Sequence, residues 1–332
     1  MNYAYDVVFV TPFRNGIKYF YVHSNDHVKS LKLAIGCPSS FEAMVEKTDK
    51  KLEKLIFEGK IPKRVVFENY CNCSSDMRKM LEDLDVKVSS SERGWFPHYK
   101  TITLDPWGFS SKSLISQSRL DDVEFDEEQV TKGIRWSRGI CYGTKDDAKI
   151  DRPYILLVLQ HTRDNTLQYD FPSFISWQKI IDFVHSIREP GELLVIKKHP
   201  CMSEYKTDLT APPDAIITDK HILNFSLLEN ANMVIGINST MLYEASILFN
   251  RSVVGFGESW FNGHPEIIKK VKFGEPFERP VVTEKELEYR KKFYHLISRT
   301  QVWIERPDFI EKFFEKHDKV SQVKTIKELA SV

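Results

Sequence analysis

YILLVLQHTRDN, residues 154–165, decides how this chain is read. Six apolar residues from Tyr154 to Leu159 run without interruption and then give way to polar ones. An unbroken apolar run of strand length suits a strand buried on both faces, as in a parallel sheet covered by helices. The residues that follow repeat the theme. Ser173 to Arg188 has the apolar spacing of an amphipathic helix and is closed by Pro190-Gly191. Glu192 to Lys197 reads as a strand ended by His199-Pro200, Ile216-Ile217 as a short strand, and Ile222 to Glu229 as a helix. Met233 to Ile237, Thr240 to Phe249 and Ser252 to Phe256 then read strand, helix, strand. Such alternation implies a parallel α/β unit with right-handed crossovers.

Working outward, the first half alternates in the same way with shorter runs. Asp6 to Phe13 reads as a strand closed at Thr11-Pro12, and Ile17 to Val22 as a second after Arg14-Asn15-Gly16. Ser40 to Phe57 is helical by the spacing of Phe41, Met44, Val45, Leu52, Leu55 and Ile56. Arg64 to Phe67 is a strand, Ser74 to Leu84 a helix opened by a capping Ser, and Val86 to Val88 and Thr101 to Leu104 short strands. Residues 110–150 are polar, with an acidic patch at Asp121, Asp122, Glu124, Asp126, Glu127 and Glu128, and read as surface helix and linker. The tail, about 284 to 330, is helical and charged, with Trp303, Phe309, Phe313 and Phe314 as its apolar face.

A chain of 332 residues exceeds one ordinary core. The expected class is α/β with two Rossmann-like domains whose parallel sheets face a cleft. The expected domains are 1–150, 151–300, and helices 301–332 returning to the first domain. The 47 basic and 47 acidic residues cancel, so global charge makes no case for nucleic acid. Nothing resembles a secretory leader, and no run approaches the roughly 18 apolar residues that span a bilayer. Five scattered Cys at 37, 71, 73, 141 and 201 suit a reducing cytoplasm. Cys71 and Cys73 lack a second ligand pair, so no zinc site is expected.

In an open parallel sheet, ligands bind beyond the carboxyl ends of the strands. Three loops there carry unusual polar residues: Gln160-His161-Thr162-Arg163-Asp164-Asn165, Lys197-Lys198-His199-Pro200 and Gly236-Ile237-Asn238-Ser239-Thr240. The last opens a helix, whose free N–H groups and positive partial charge suit an anion, although an ordinary cap also uses Ser and Thr. Glu244, one turn in, can accept two ribose hydroxyls. Lys197, Lys198 and His199 suit an acidic substrate or form a solvated basic loop. Asp164 can serve as nucleophile, base or cation stabiliser, or cap the next turn. In the first half Glu92-Arg93-Gly94-Trp95-Phe96-Pro97 reads as a loop that offers Glu92 as a base or a solvated carboxylate, and in Leu104-Asp105-Pro106-Trp107-Gly108 the indole of Trp107 is expected in the core rather than as a sugar-stacking platform. Asp83-Leu84-Asp85 has metal-holding spacing but falls at a charged helix end. No G-x-G-x-x-G, P-loop or G-x-S-x-G is present.

Together these motifs resemble the retaining β-Kdo glycosyltransferases of bacterial capsule and lipopolysaccharide assembly. The matching residues are Glu92 to Trp95, Leu104 to Gly108, Gln160 and Asp164, Lys197-x-His199-Pro200, Ser239 with Glu244-Ala245, and Phe256-Gly257. Two features depart from that pattern: Glu258 to Gly263 replaces an aromatic, Gly-rich segment, and Arg163 stands where a Gly is common. The resemblance implies a GT-B-like architecture, CMP-β-Kdo as donor, and double displacement. Asp164 would then be the nucleophile and Glu92 the acceptor base. His199, Asn238, Ser239 and Thr240 would hold the phosphate, Lys197 or Lys198 the sugar carboxylate, and Glu244 the ribose, with Gln160 and Arg163 also lining the donor site. CMP carries one phosphate, so no metal or other cofactor is expected. The acceptor would be a saccharide or glycolipid, and the setting the cytoplasm or the inner membrane face. Another donor transferase or epimerase on the same scaffold, such as a CDP-glycerol phosphotransferase or a sialyltransferase, remains an alternative, as does a non-catalytic nucleotide-sugar-binding protein. Lys312, Lys316, Lys319 and Lys324 beside Phe313 and Phe314 suit either anionic lipid or, the favoured reading, docking onto the first domain.

Overall fold

The computed structural model describes residues 3–12, 28–98, 100–143, 150–161, 164–171, 176–199, 209–218, 224–261 and 263–332. The strand expected at Ile17 to Val22, the start of the helix expected from Ser173, Arg163 and Pro200 lie outside them. The chain forms two compact units, 1–123 with 296–332, and 124–295.

The first unit runs β1 (Val7–Thr11), β2 (Ser30–Ala34), α1 (Phe41–Phe57), β3 (Arg64–Glu68), α2 (Ser75–Asp83), β4 (Lys87–Arg93), β5 (Thr101–Asp105) and α3 (Leu114–Gln117). Serines start its helices as expected: the Ser40 hydroxyl accepts from the Ala43 N–H at 3.2 Å and Ser74 from Met77 at 3.2 Å. With β12 (Gln301–Trp303) from the end of the chain, the sheet order is β12-β5-β4-β3-β1-β2, parallel from β2 to β4 and antiparallel at β4–β5 and β5–β12.

In the second unit come α4 (Glu127–Tyr142), β6 (Tyr154–Val158), α5 (Asn165–Asp170), α6 (Trp177–Ser186), β7 (Leu193–Lys197), β8 (Ile216–Thr218), α7 (Asn224–Asn230), β9 (Met233–Gly236), α8 (Thr240–Phe249), β10 (Ser252–Gly255) and β11 (Lys269–Lys270). Its sheet is parallel throughout, in the order β11-β10-β9-β6-β7-β8. Every residue of β6, β7 and β9 is buried. Ile155, Leu157, Leu194, Ile196 and Ile235 share one core with Ile180 and Ile181 of α6. Each such side chain contributes about 2 kcal/mol by leaving water.

After β11 the chain forms α9 (Glu284–Thr300), β12 (Gln301–Trp303), α10 (Phe309–Val320) and α11 (Ile326–Ala330). From residue 296 onward it belongs to the first unit. Phe309 and Phe313 of α10 are fully buried, and the Phe9 and Phe313 rings lie 6.5 Å apart. Docking rather than lipid contact therefore accounts for those two aromatics.

Three expectations need correction. The boundary lies near 123, not 150, because α4 is anchored within the second unit. Ser137 there hydrogen-bonds the Tyr294 hydroxyl at 2.8 Å, and Glu127 pairs with Lys291 at 2.6 Å. Strand β4 extends through Ser89, Ser90 and Ser91 to Arg93, so Glu92 lies in a strand rather than a loop. Trp107 is 39% exposed and not core. Its neighbour Asp105 is fully buried and accepts four backbone N–H groups, from Trp107 (2.8 Å), Gly108 (3.1 Å), Leu114 (2.9 Å) and Ile115 (3.4 Å). Burial still pushes its carboxyl up to about 6. The Leu-Asp-x-x-Gly stretch is thus a structural anchor for the turn after β5.

Candidate active site

Strand β6 lies between β9 and β7, and the chain leaves β6 toward β7 but returns to β9 on the other side. The loops after β6 and β9 therefore diverge at a topological switch point, where open parallel sheets hold ligands. The loop after β7 joins them at the same edge.

A buried amide latch ties the first two loops together. Gln160 donates from Nε2 to Asn238 Oδ1 at 2.8 Å, and its Oε1 accepts from the Asn238 backbone N–H at 3.1 Å. Thr166 Oγ1 also donates to Asn238 Oδ1 at 3.1 Å, while Asn238 Nδ2 donates to the carbonyls of Thr166 (3.1 Å) and Glu258 (3.0 Å). Gln160 and Asn238 are 3% and 6% exposed. Both are donor-contact candidates, and in the structure their side-chain amides hydrogen-bond one another and the loops. Gly257 completes the cradle, because a Cβ there would lie 2.6 Å from Ile237 Cγ2. Asn238→Ala should destabilise the protein by about 3 kcal/mol, since it strands several buried partners. A urea unfolding midpoint equal to wild type would show that the latch contributes nothing.

The latch places Asp164. Its Oδ1 accepts from the Thr166 N–H at 2.9 Å and so caps α5, the plain role open to a loop Asp. Asp164 is half-buried, not sealed in the core. The residue it caps, Thr166, touches Asn238, the neighbour of Ser239. The nucleophile candidate and Asn238, the residue before Ser239, thus belong to one hydrogen-bonded cluster. Ser239 caps α8, its hydroxyl accepting from the Met241 N–H at 3.4 Å, and Thr240 begins that helix. Both are half-buried.

His199, also half-buried, lies with its ring 6.1 Å from that of His161. Burial lowers the His199 pKa; Asp164 pulls it up, and His161 and Lys197 push it down. The imidazole is therefore neutral at pH 7 and donates one N–H. Lys197 ends β7 and is 6% exposed, and the half-buried Lys198 follows it. Glu244 sits one turn into α8, half-buried, with the Tyr142 hydroxyl donating to its Oε2. Burial pushes its carboxyl up to about 7, against the lowering effect of Tyr142.

Glu92, the candidate base, belongs to the first unit, where it pairs with Thr103 in register and accepts from the Arg93 N–H at 2.8 Å. Gly94 in the same motif is obligatory, because a Cβ would lie 2.2 Å from Thr101 Oγ1. The sequence reading named His161 in its loop without a role and passed over Thr166 and Tyr142. Only Thr166 had a local signal, two residues after a capping Asp. Among the described residues no three His, Cys, Asp or Glu side chains gather as a metal site would need, and no helix is long and apolar enough to cross a membrane.

Residues 134–265 match the family model for capsule polysaccharide biosynthesis proteins. No curated protein sequence matches the chain significantly. Among solved structures, the β-Kdo 2,7-transferase of KpsC from Thermosulfurimonas dismutans aligns at a TM-score of 0.52 and 16% identity, over 94% of this chain and 98% of that one. The β-Kdo 2,4-transferase of the same KpsC aligns at 0.56 and 13% identity, over 90% and 92%. At these identities the likeness speaks to the fold. The chain is an α/β protein of GT-B type, and in fold and in the motifs of its second unit it resembles the β-Kdo transferases of capsule biosynthesis.

Proposed function

We propose that this protein is a retaining glycosyltransferase that moves Kdo from CMP-β-Kdo to a saccharide or glycolipid acceptor. The observation that carries the reading is the single hydrogen-bonded cluster joining Asp164 to the start of α8, with His199 beside it at the switch point. The anomeric carbon of Kdo bears a carboxylate, so loss of CMP leaves an oxocarbenium-like centre that a nearby carboxylate stabilises and traps. An Asp164 oxygen bonds the anomeric carbon as the bond to the phosphate oxygen breaks, and CMP departs. Hydrogen-bond donors on Ser239, Thr240 and neutral His199 take up the charge growing on that phosphate, each worth about 3 kcal/mol when well placed. Lys197 or Lys198 meets the sugar carboxylate, Arg163 the donor, and Glu244 the ribose. In the second displacement Glu92 takes the proton of the acceptor hydroxyl, whose oxygen replaces Asp164. Two inversions return the β configuration. Gln160 and Asn238 serve this site by holding its loops.

One phosphate needs no diphosphate-neutralising metal, so EDTA should leave the rate unchanged. The deciding experiment incubates the protein with CMP-β-Kdo alone and weighs the intact chain. The expected result is a one-Kdo adduct with release of CMP; when acceptor is then added, the adduct should persist longer in Glu92→Gln, where deglycosylation is slowed. An α-linked product formed with no adduct would defeat the double-displacement reading, and absence of any transfer or hydrolysis would favour a non-catalytic binding protein.

A further inference from the structure

Tyr142 ends α4, and its ring stands edge-on to Phe249 with centroids 5.3 Å apart. Its hydroxyl donates to Oε2 of Glu244, a residue 102 positions away on α8. One carboxylate oxygen is thereby taken by the protein itself, from a ring that packing holds in place. We infer that Tyr142 is a positioning residue of the nucleotide site, holding the Glu244 carboxylate in one orientation for the ribose hydroxyls of the donor. The inference rests on the CMP donor proposed above.

The chemistry is specific to ribose. Vicinal hydroxyls donate, so they need an ionised carboxylate; a protonated Glu244 offers one acceptor fewer and a competing donor. Among the described residues, the groups facing Glu244 do not supply a cation. Cys141 and Tyr142 come from α4 and Tyr243 from α8, and burial pushes all three pKa values up, so they stay neutral. Arg138, the nearby cation on α4, lies over the Phe225 and Phe249 rings at 5.7 and 5.8 Å. The Tyr142 hydroxyl is therefore what favours the ionised form against burial, and the balance of the two leaves Glu244 at about 7. A deoxyribose, with no 2′-hydroxyl, gains less from this arrangement.

The test measures calorimetric affinities of CMP and 2′-deoxy-CMP between pH 6 and 8.5 (probe values of about one unit either side of neutrality, where such a carboxyl titrates). Their ratio cancels the titration of the shared phosphate. In the wild type the preference for CMP should rise with pH and level off above neutrality. In Tyr142→Phe, which keeps the ring, it should fall about tenfold at pH 7, as expected for one hydrogen bond to a charged group, and its midpoint should move to higher pH. Deoxy-CMP affinity should stay near wild type. Glu244→Gln should lose both the preference and its pH dependence. CMP binding with an unchanged preference and midpoint in Tyr142→Phe overturns the positioning role but spares the donor reading. A flat wild-type profile overturns it even if the variant does not fold. Failure of the wild type to bind CMP overturns both.

Discussion

Asp164→Asn will cut sugar transfer by at least about a thousandfold, while the protein folds and binds CMP as before. Asn keeps an oxygen where Asp164 Oδ1 accepts from the Thr166 N–H at 2.9 Å, so the start of α5 is retained. Asn and Asp are near equals as helix caps. What Asn removes is the anionic oxygen that would bond the anomeric carbon. Asp164→Ala would remove the cap as well, at about 1 kcal/mol, and would confuse misplacement with lost chemistry. Product formation by mass spectrometry, beside CMP affinity by calorimetry, checks the prediction. A variant retaining a tenth of the wild-type rate with intact binding would take Asp164 out of the mechanism and leave capping as its role.

The second large effect is on stability. Arg64 of β3 makes two hydrogen bonds of 2.7 Å to Asp318 of α10, and Lys87 of β4 reaches the same carboxylate at 3.0 Å. Arg64 is 6% exposed and its guanidinium lies 4.5 Å from the Phe314 ring. Asp318→Ala leaves that buried cation without its carboxylate, which should cost about 3 kcal/mol at pH 7. The pH dependence follows from sign. Although burial opposes it, the neighbouring His317, Arg64 and Lys87 hold the Asp318 pKa far below its ordinary value. Its contribution is therefore full above the unfolded-state value of about 4 and is lost as pH falls further. His317, whose pKa burial lowers, adds acid sensitivity from about pH 6.5 downward, because the unfolded chain gains that proton first. Denaturant unfolding at pH 7 and at pH 3 should show the gap between wild type and Asp318→Ala narrowing at the lower pH. A gap that widens there would mean that Asp318 is not held as an anion.

Local sequence was most informative where a residue's role depends on its neighbours in the chain. The apolar runs at Tyr154 and Met233 became β6 and β9, and Ser40, Ser74 and Ser239 cap the helices they precede. It was least informative where a polar residue is buried by distant chain. Ser89 to Ser91 look like surface, yet pairing with β3 and β5 buries them in a strand. Likewise the segment of α4 reads as surface helix and linker until Tyr294 and Glu244 are seen against it.

What the amino-acid sequence determined alone is the α/β class, the order of the main strands and helices from Tyr154 to Phe256, and the three polar loops that follow buried strands, because periodicity, capping and turn chemistry act over a few residues. Only the tertiary structure decided which loops meet and what each polar group does there. Gln160 and Asn238 stand 78 positions apart and face each other because β6 and β9 pair in register. Buried amides must then satisfy one another, so two residues with the chemistry of ligand contacts became the latch that holds Asp164 and Ser239 in one cluster.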